Sequence, residues 1–243
     1  SKRIKNKLII EKKNFSKTIL ISCHSFYDAP HVYGKFFKAD FHEWLKLLCN
    51  ISKKNNYIWL VKPHPLTYQK DLEHINHIIK GYDKMILIDK KYSNQEVFNT
   101  GIDFGLTCFG TISFEYPYQG IKVINFSNNH PYKNYNFSYT PKNLNEYIHI
   151  LNNLDKFNYK FNKKEIFEYF YLKRVFLDVD YMKLKLNPSK DLNGYTLNDR
   201  FFSTKYYLEW VEKWSLSKHK KIINNITNFL SSKEFYINKN HLE

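Results

Sequence analysis

From residue 17 to residue 126 the sequence alternates short apolar runs of strand length with longer stretches of helical periodicity. Thr-Ile-Leu-Ile-Ser at 18–22 and Tyr-Ile-Trp-Leu-Val at 57–61 are continuous apolar runs, as expected of strands covered on both faces. Further strands are expected at 85–88, 102–107 and 122–126. Between the first two, Phe41, Trp44, Leu45, Leu47 and Leu48 recur near helical spacing behind Asp40, a good helix cap. Residues 72–79, 94–98 and 111–118 read as further helices. Parallel strands need a crossover long enough to hold a helix, so this alternation predicts an α/β fold with a doubly wound parallel sheet.

Sheets of this kind bind ligands beyond the carboxyl ends of their strands. The loops at 23–34, 62–67, 107–111 and 127–136 are therefore expected along one edge. After Pro141 the pattern changes: 144–154, 163–176 and 204–230 read as helical and 187–198 as a loop. The expected division is a Rossmann-like domain at 1–150 and a helical extension at 151–243 packed on it. Phe167, Tyr169, Phe170, Tyr171, Trp210 and Trp214 recur near helical spacing in that extension and read as core.

Lys and Arg outnumber Asp and Glu by 38 to 23, a formal charge of +15 that favours anionic partners. Nucleotide-sugars, acidic glycans and anionic lipid surfaces fit. Nucleic acid is disfavoured, because the charge is scattered and no nucleic-acid-binding motif accompanies it. The three cysteines, Cys23, Cys49 and Cys108, are odd in number and widely spaced, which suits neither a disulfide framework nor a paired-cysteine metal site and fits a reducing cytoplasm. No apolar run reaches membrane-spanning length and the charged start has no apolar region behind it, so membrane association is expected only peripherally, at the inner face of the plasma membrane.

Four groups of residues stand at the expected ligand edge. Lys62, His64 and Pro65 lie in a Lys-Pro-His-Pro segment that ends the second strand, where proline halts the ladder and the imidazole and ammonium suit a phosphate. Thr107, Gly110, Thr111, Ser113 and Glu115 combine small hydroxyl residues with a helix start, and Glu115 can reach a sugar hydroxyl or act as an ordinary first-turn acid. In the loop after the first strand, Asp28 and His31 are candidates for acid-base work and His24 and His31 for phosphate contact. The spacing of His24, Asp28 and His31 matches no standard ligand pattern, so no metal is expected. His130-Pro131, with Tyr132 and Tyr135 nearby, is expected at the rim of the ligand site.

The Lys-Pro-His-Pro loop, followed some 45 residues later by Gly-Thr-x-Ser-x-Glu-x-x-x-x-Gly-x-x-Val-Ile, resembles the carboxyl-terminal domain of GT-B enzymes that assemble bacterial surface polysaccharides. The resemblance covers residues 17–150. It is to the His-Pro-motif type: capsular Kdo transferases, bacterial sialyltransferases and polysialyltransferases, and CDP-glycerol glycerophosphotransferases. It implies that His64 and Thr111 or Ser113 hold the phosphate of a cytidine nucleotide and that Glu115 faces the ribose. The expected activity is glycosyl transfer from a nucleotide-sugar donor, a CMP-sugar before UDP- or CDP-linked ones, to a glycan or lipid-linked acceptor of capsule or lipopolysaccharide, with no cofactor. Complete enzymes of this type pair two such domains, so the isolated chain is expected to be an incomplete enzyme. Two alternatives stay open: an enzyme like the UDP-sugar 2-epimerases, and a non-catalytic domain that binds nucleotide or glycan.

Overall fold

The computed structural model describes residues 14–33, 36–172, 214–234 and 239–241, with residues 204, 208, 211 and 212. Its centre is a five-stranded, all-parallel sheet: β1 (Lys17–Ser22), β2 (Tyr57–Lys62), β3 (Met85–Leu87), β4 (Phe104–Thr107) and β5 (Lys122–Asn125). The spatial order is β3-β2-β1-β4-β5, so the chain winds outward from β1 on one side and then returns to build the other. The reversal falls between β1 and β4, where such sheets open a crevice at their carboxyl ends.

Helices cover both faces, as a doubly wound sheet requires. α1 (Phe41–Ser52), α2 (Gln69–Ile79) and α5 (Leu144–Asn152) lie over one face, and α3 (Asn94–Phe98) and α4 (Ile112–Tyr118) over the other. Successive side chains of a strand point to opposite faces, so Ile19, Ile21, Trp59 and Val61 enter the first core while Leu20, Ile58 and Leu60 enter the second. The fold is therefore Rossmann-like α/β, as the alternation predicts.

Local chemistry sets the boundaries. The Asp40 carboxylate accepts the Glu43 N–H at 2.8 Å and starts α1. Ser93 and Glu96 form a reciprocal capping box on α3. Gly120, at a φ of +87°, ends the turn after α4 in a conformation that favours glycine. At the sheet edge, the Tyr159 hydroxyl accepts the Val123 N–H at 2.8 Å and donates to the Val123 carbonyl at 2.9 Å. That side chain closes an edge another chain would otherwise pair with.

The chain divides into two compact units, residues 1–166 and 167–243. α6 (Lys163–Tyr171) runs across that boundary in sequence, and α7 (Leu216–Ser231) belongs to the second unit. α7 is capped by Ser215, whose hydroxyl accepts the Lys218 N–H. Within this unit Trp214 stacks on His219, with ring centroids 5.8 Å apart. The aromatics expected as core there are corrected: Tyr169 is buried, but Phe167, Phe170, Tyr171 and Trp214 are exposed. Phe167, Tyr169, Phe170 and Tyr171 crowd into five consecutive positions, which point around the helix, so one face cannot enclose them all. Trp210 and the expected loop at 187–198 lie outside the described residues.

Gly105 in β4 has no room for a side chain: an added Cβ would stand 2.7 Å from Cδ2 of Tyr116, a fully buried ring. Gly105→Ala is expected to destabilise the protein by about 1–3 kcal/mol, measured as a lower urea midpoint. An unchanged midpoint would show that the Tyr116 ring yields.

Candidate functional site

The carboxyl ends of β1, β2 and β4 bring one set of polar groups together. β1 leads directly into His24, β2 ends at Lys62 and passes through Pro63 to His64, and β4 ends at Thr107. Thr107 is buried at 1% exposure, and its Oγ1 accepts the Gly110 N–H at 3.0 Å. The same oxygen is 3.2 Å from Nε2 of His24. An added Cβ on Gly110 would lie 2.8 Å from Thr107 Oγ1, so glycine is what lets the loop close onto the hydroxyl.

One bond defines a tautomer: His64 Nδ1 accepts the Leu66 N–H at 3.2 Å, so the ring proton of neutral His64 sits on Nε2 and is left for a ligand. In the bond between His24 Nε2 and Thr107 Oγ1 either group can donate, because a hydroxyl oxygen that accepts from Gly110 can accept a second time.

His24 is stacked on Phe41, centroids 4.7 Å apart and planes 7° from parallel, and packs against Phe109 at 4.6 Å. Burial, and then the nearby His64, push its proton affinity down to about 4. At neutral pH it is uncharged. Lys62 is buried at 6% exposure, and burial lowers the pKa of its ammonium. No described residue supplies a carboxylate for it, so an incoming anion meets an uncompensated cation.

The other candidates divide. Pro65 is exposed at the second position of the turn that closes from the Thr67 N–H to the His64 carbonyl, 2.9 Å apart, and so fixes the His64 loop. Thr111 is exposed at the start of α4 and makes no side-chain cap bond, and Glu115 is exposed one turn on. Asp28 is exposed, with its backbone N–H tied to the Ser25 carbonyl. His31 Nε2 donates to the Ala39 carbonyl at 3.0 Å, which makes it a clasp within its own loop. Neither Asp28 nor His31 makes a hydrogen bond or ring contact with His24, His64 or Thr107 among the described residues. Gly34, which ends that loop, lies outside them.

Two expectations are corrected. Ser113 is fully buried and its hydroxyl donates to Asn125 Oδ1 at 2.6 Å, so it serves the interior and does not face a ligand. His130 is fully enclosed rather than on a rim: Nε2 is 2.9 Å from Thr140 Oγ1, and the ring packs on Tyr132 at 4.3 Å. Asn125 joins the two, donating to Ser138 at 2.9 Å and to Thr140 at 3.3 Å. The Tyr132 hydroxyl also donates to the Gly110 carbonyl at 2.9 Å, so the loop after β5 braces the site from behind. His24 is the residue whose central place exceeds what its spacing suggested. Its one sequence signal is a histidine immediately past the first strand.

The three cysteines are free and buried, and burial pushes the Cys23 and Cys49 thiols up to about 12. No group of three or more metal-ligating side chains occurs among the described residues. Nor is any described helix long and apolar enough to cross a membrane.

No protein-family model and no curated protein sequence matches the chain. Among solved structures it is similar to S. aureus MnaA with UDP, at 13% identity and a TM-score of 0.39 over 95% of this chain and 50% of that one. The wall teichoic acid polymerase TagF matches at 14% identity and 0.39, over 88% and 49%. A structure assigned as a UDP-N-acetylglucosamine 2-epimerase from Listeria monocytogenes matches at 14% and 0.36, over 52% and 30%. The chain spans half or less of the length of these proteins, and likenesses this remote bear on neither activity nor site residues.

His24 and His130 make the fold acid-sensitive. Burial, and secondarily Lys133, push His130 down to about 3, from the ordinary histidine value of 6.5. Below pH 6.5 the unfolded chain binds protons that the folded one refuses until these lower values. Stability is therefore full above about pH 6.5 and falls with decreasing pH, by up to about 1.4 kcal/mol per pH unit for each histidine. Urea midpoints measured from pH 7.5 to pH 5 are expected to decline; a flat profile would mean that neither ring resists protonation in the fold.

Proposed function

We propose that the chain is the donor-binding half of a GT-B-type glycosyltransferase, and that the crevice at β1, β2 and β4 holds the phosphate of a nucleotide-sugar. The observation that carries this reading is His64, whose Nε2–H is not used by the bond that fixes its ring, at the same strand ends as His24 and the buried Lys62. With Thr107 donating to His24, both imidazoles offer an N–H, and two such donors with one cation suit an oxyanion. Thr111 and Glu115, exposed on the α4 side, are assigned to the nucleoside, with Glu115 at the ribose.

In the proposed reaction an acceptor hydroxyl attacks the anomeric carbon, and the bond from that carbon to the phosphate oxygen breaks with inversion. The phosphate leaves with the bonding electron pair. His24, His64 and Lys62 stabilise the charge that develops there. The acceptor's proton is assigned to Asp28, exposed in the loop after β1, since His31 is engaged by Ala39. The resemblance of the Lys-Pro-His-Pro and Gly-Thr-x-Ser-x-Glu segments favours a CMP-sugar as donor and a capsular or lipopolysaccharide glycan as acceptor. The basic balance of the chain favours an anionic glycan or membrane surface beside it.

Calorimetric titration with CMP, CDP and UDP tests the reading. A cytidine nucleotide is expected to bind best, and His64→Ala to weaken it about tenfold, the size of one charge-assisted hydrogen bond. Failure of all three to bind, or a His64→Ala variant that matches the parent, would overturn it. Preference for UDP would move the donor to the uridine series and leave the phosphate site standing.

A further inference from the structure

The two loops that supply the imidazole donors also carry exposed aromatic rings. Tyr27 follows His24 by three residues and is 71% exposed; Tyr68 follows His64 by four and is 66% exposed. The two rings meet edge to face, with centroids 5.5 Å apart and planes at 87°. Leu66, at 76% exposure, lies between His64 and Tyr68. Its N–H is the donor that fixes the His64 ring, so the backbone that aims the imidazole also positions this apolar rim.

Two perpendicular tyrosines form a corner that presents one ring face and one ring edge. Ring faces and phenol groups of this kind suit a ligand that has both a C–H face and hydroxyls. Phe26, the neighbour of Tyr27, packs instead on His74 of α2 at 5.4 Å, which anchors the loop and leaves Tyr27 facing outward. The strand order sets the loop after β2, which carries Tyr68, and the loop after β4, which carries Thr111, on opposite sides of β1.

We infer that the Tyr27–Tyr68 corner holds the glycosyl ring of the donor. The C–H face of a pyranose packs on one tyrosine, and its hydroxyls reach the two phenol groups. The inference rests on the phosphate reading above and extends it to the sugar. It places the nucleoside toward α4 and the sugar toward α2, with the scissile bond between them at His24 and His64.

The test uses Tyr27→Ala/Tyr68→Ala in the full chain, titrated with CMP and with CMP-N-acetylneuraminate, or with UDP and UDP-N-acetylglucosamine if the parent prefers uridine. Both tyrosines are exposed, and an unchanged melting curve confirms that the variant folds. The double variant is expected to bind the free nucleotide like the parent and to bind the nucleotide-sugar roughly three- to tenfold more weakly. Equal binding of the nucleotide-sugar by parent and variant would overturn the assignment. Weaker binding of the free nucleotide would also overturn it, by placing the base in the corner. A parent that binds neither ligand would instead refute the phosphate reading beneath it.

Discussion

A single hydroxyl organises the crevice. Thr107 ends β4 with its side chain buried, takes the Gly110 N–H, and holds Nε2 of His24 by a second hydrogen bond. Because the ring is clamped between Phe41 and Phe109, it can neither rotate away nor readily charge. A buried polar group of this kind tolerates only a fully bonded arrangement. The local backbone, the glycine and the histidine are consequently one coupled choice.

The sheet explains why these groups meet. β1, β2 and β4 are adjacent and parallel, so their carboxyl ends open together at the point where strand order reverses. Strands covered on both faces cannot hold polar side chains along their length, and Lys62, His24 and Thr107 appear where the apolar runs stop. A second polar network, Ser113 through Asn125 to Thr140 and His130, lies behind the crevice. Tyr132 ties the same loop to the Gly110 carbonyl. Together these brace the β4–α4 loop from its inner side.

The central strands were legible because continuous apolar runs of six residues or fewer have few alternatives, and the Asp40 cap and the Lys-Pro-His-Pro stop were equally plain. What misled was polarity read without its partner. Ser113 has the spacing of a phosphate ligand, yet Asn125, twelve residues on, turns it inward. His130 repeats the His-Pro pair of His64, but Thr140 and Tyr132 enclose it, a contact no local pattern announces. The prominence of His24 was hidden for the same reason. Its role depends on Thr107, brought alongside by the pairing of β1 with β4. The aromatic helix of the second unit shows the converse error, since helical spacing by itself does not say how many faces are covered.

The most direct test is long-range proton–nitrogen NMR of the histidine rings, recorded at neutral pH with and without the nucleotide that binds best. The structure requires the proton of neutral His64 on Nε2, and the account predicts that His24 carries its own on Nδ1 and that both N–H signals shift together as nucleotide is added. The opposite tautomer at either ring, or a nucleotide that binds while both signals stay in place, would contradict the claim that these two imidazoles grip one phosphate.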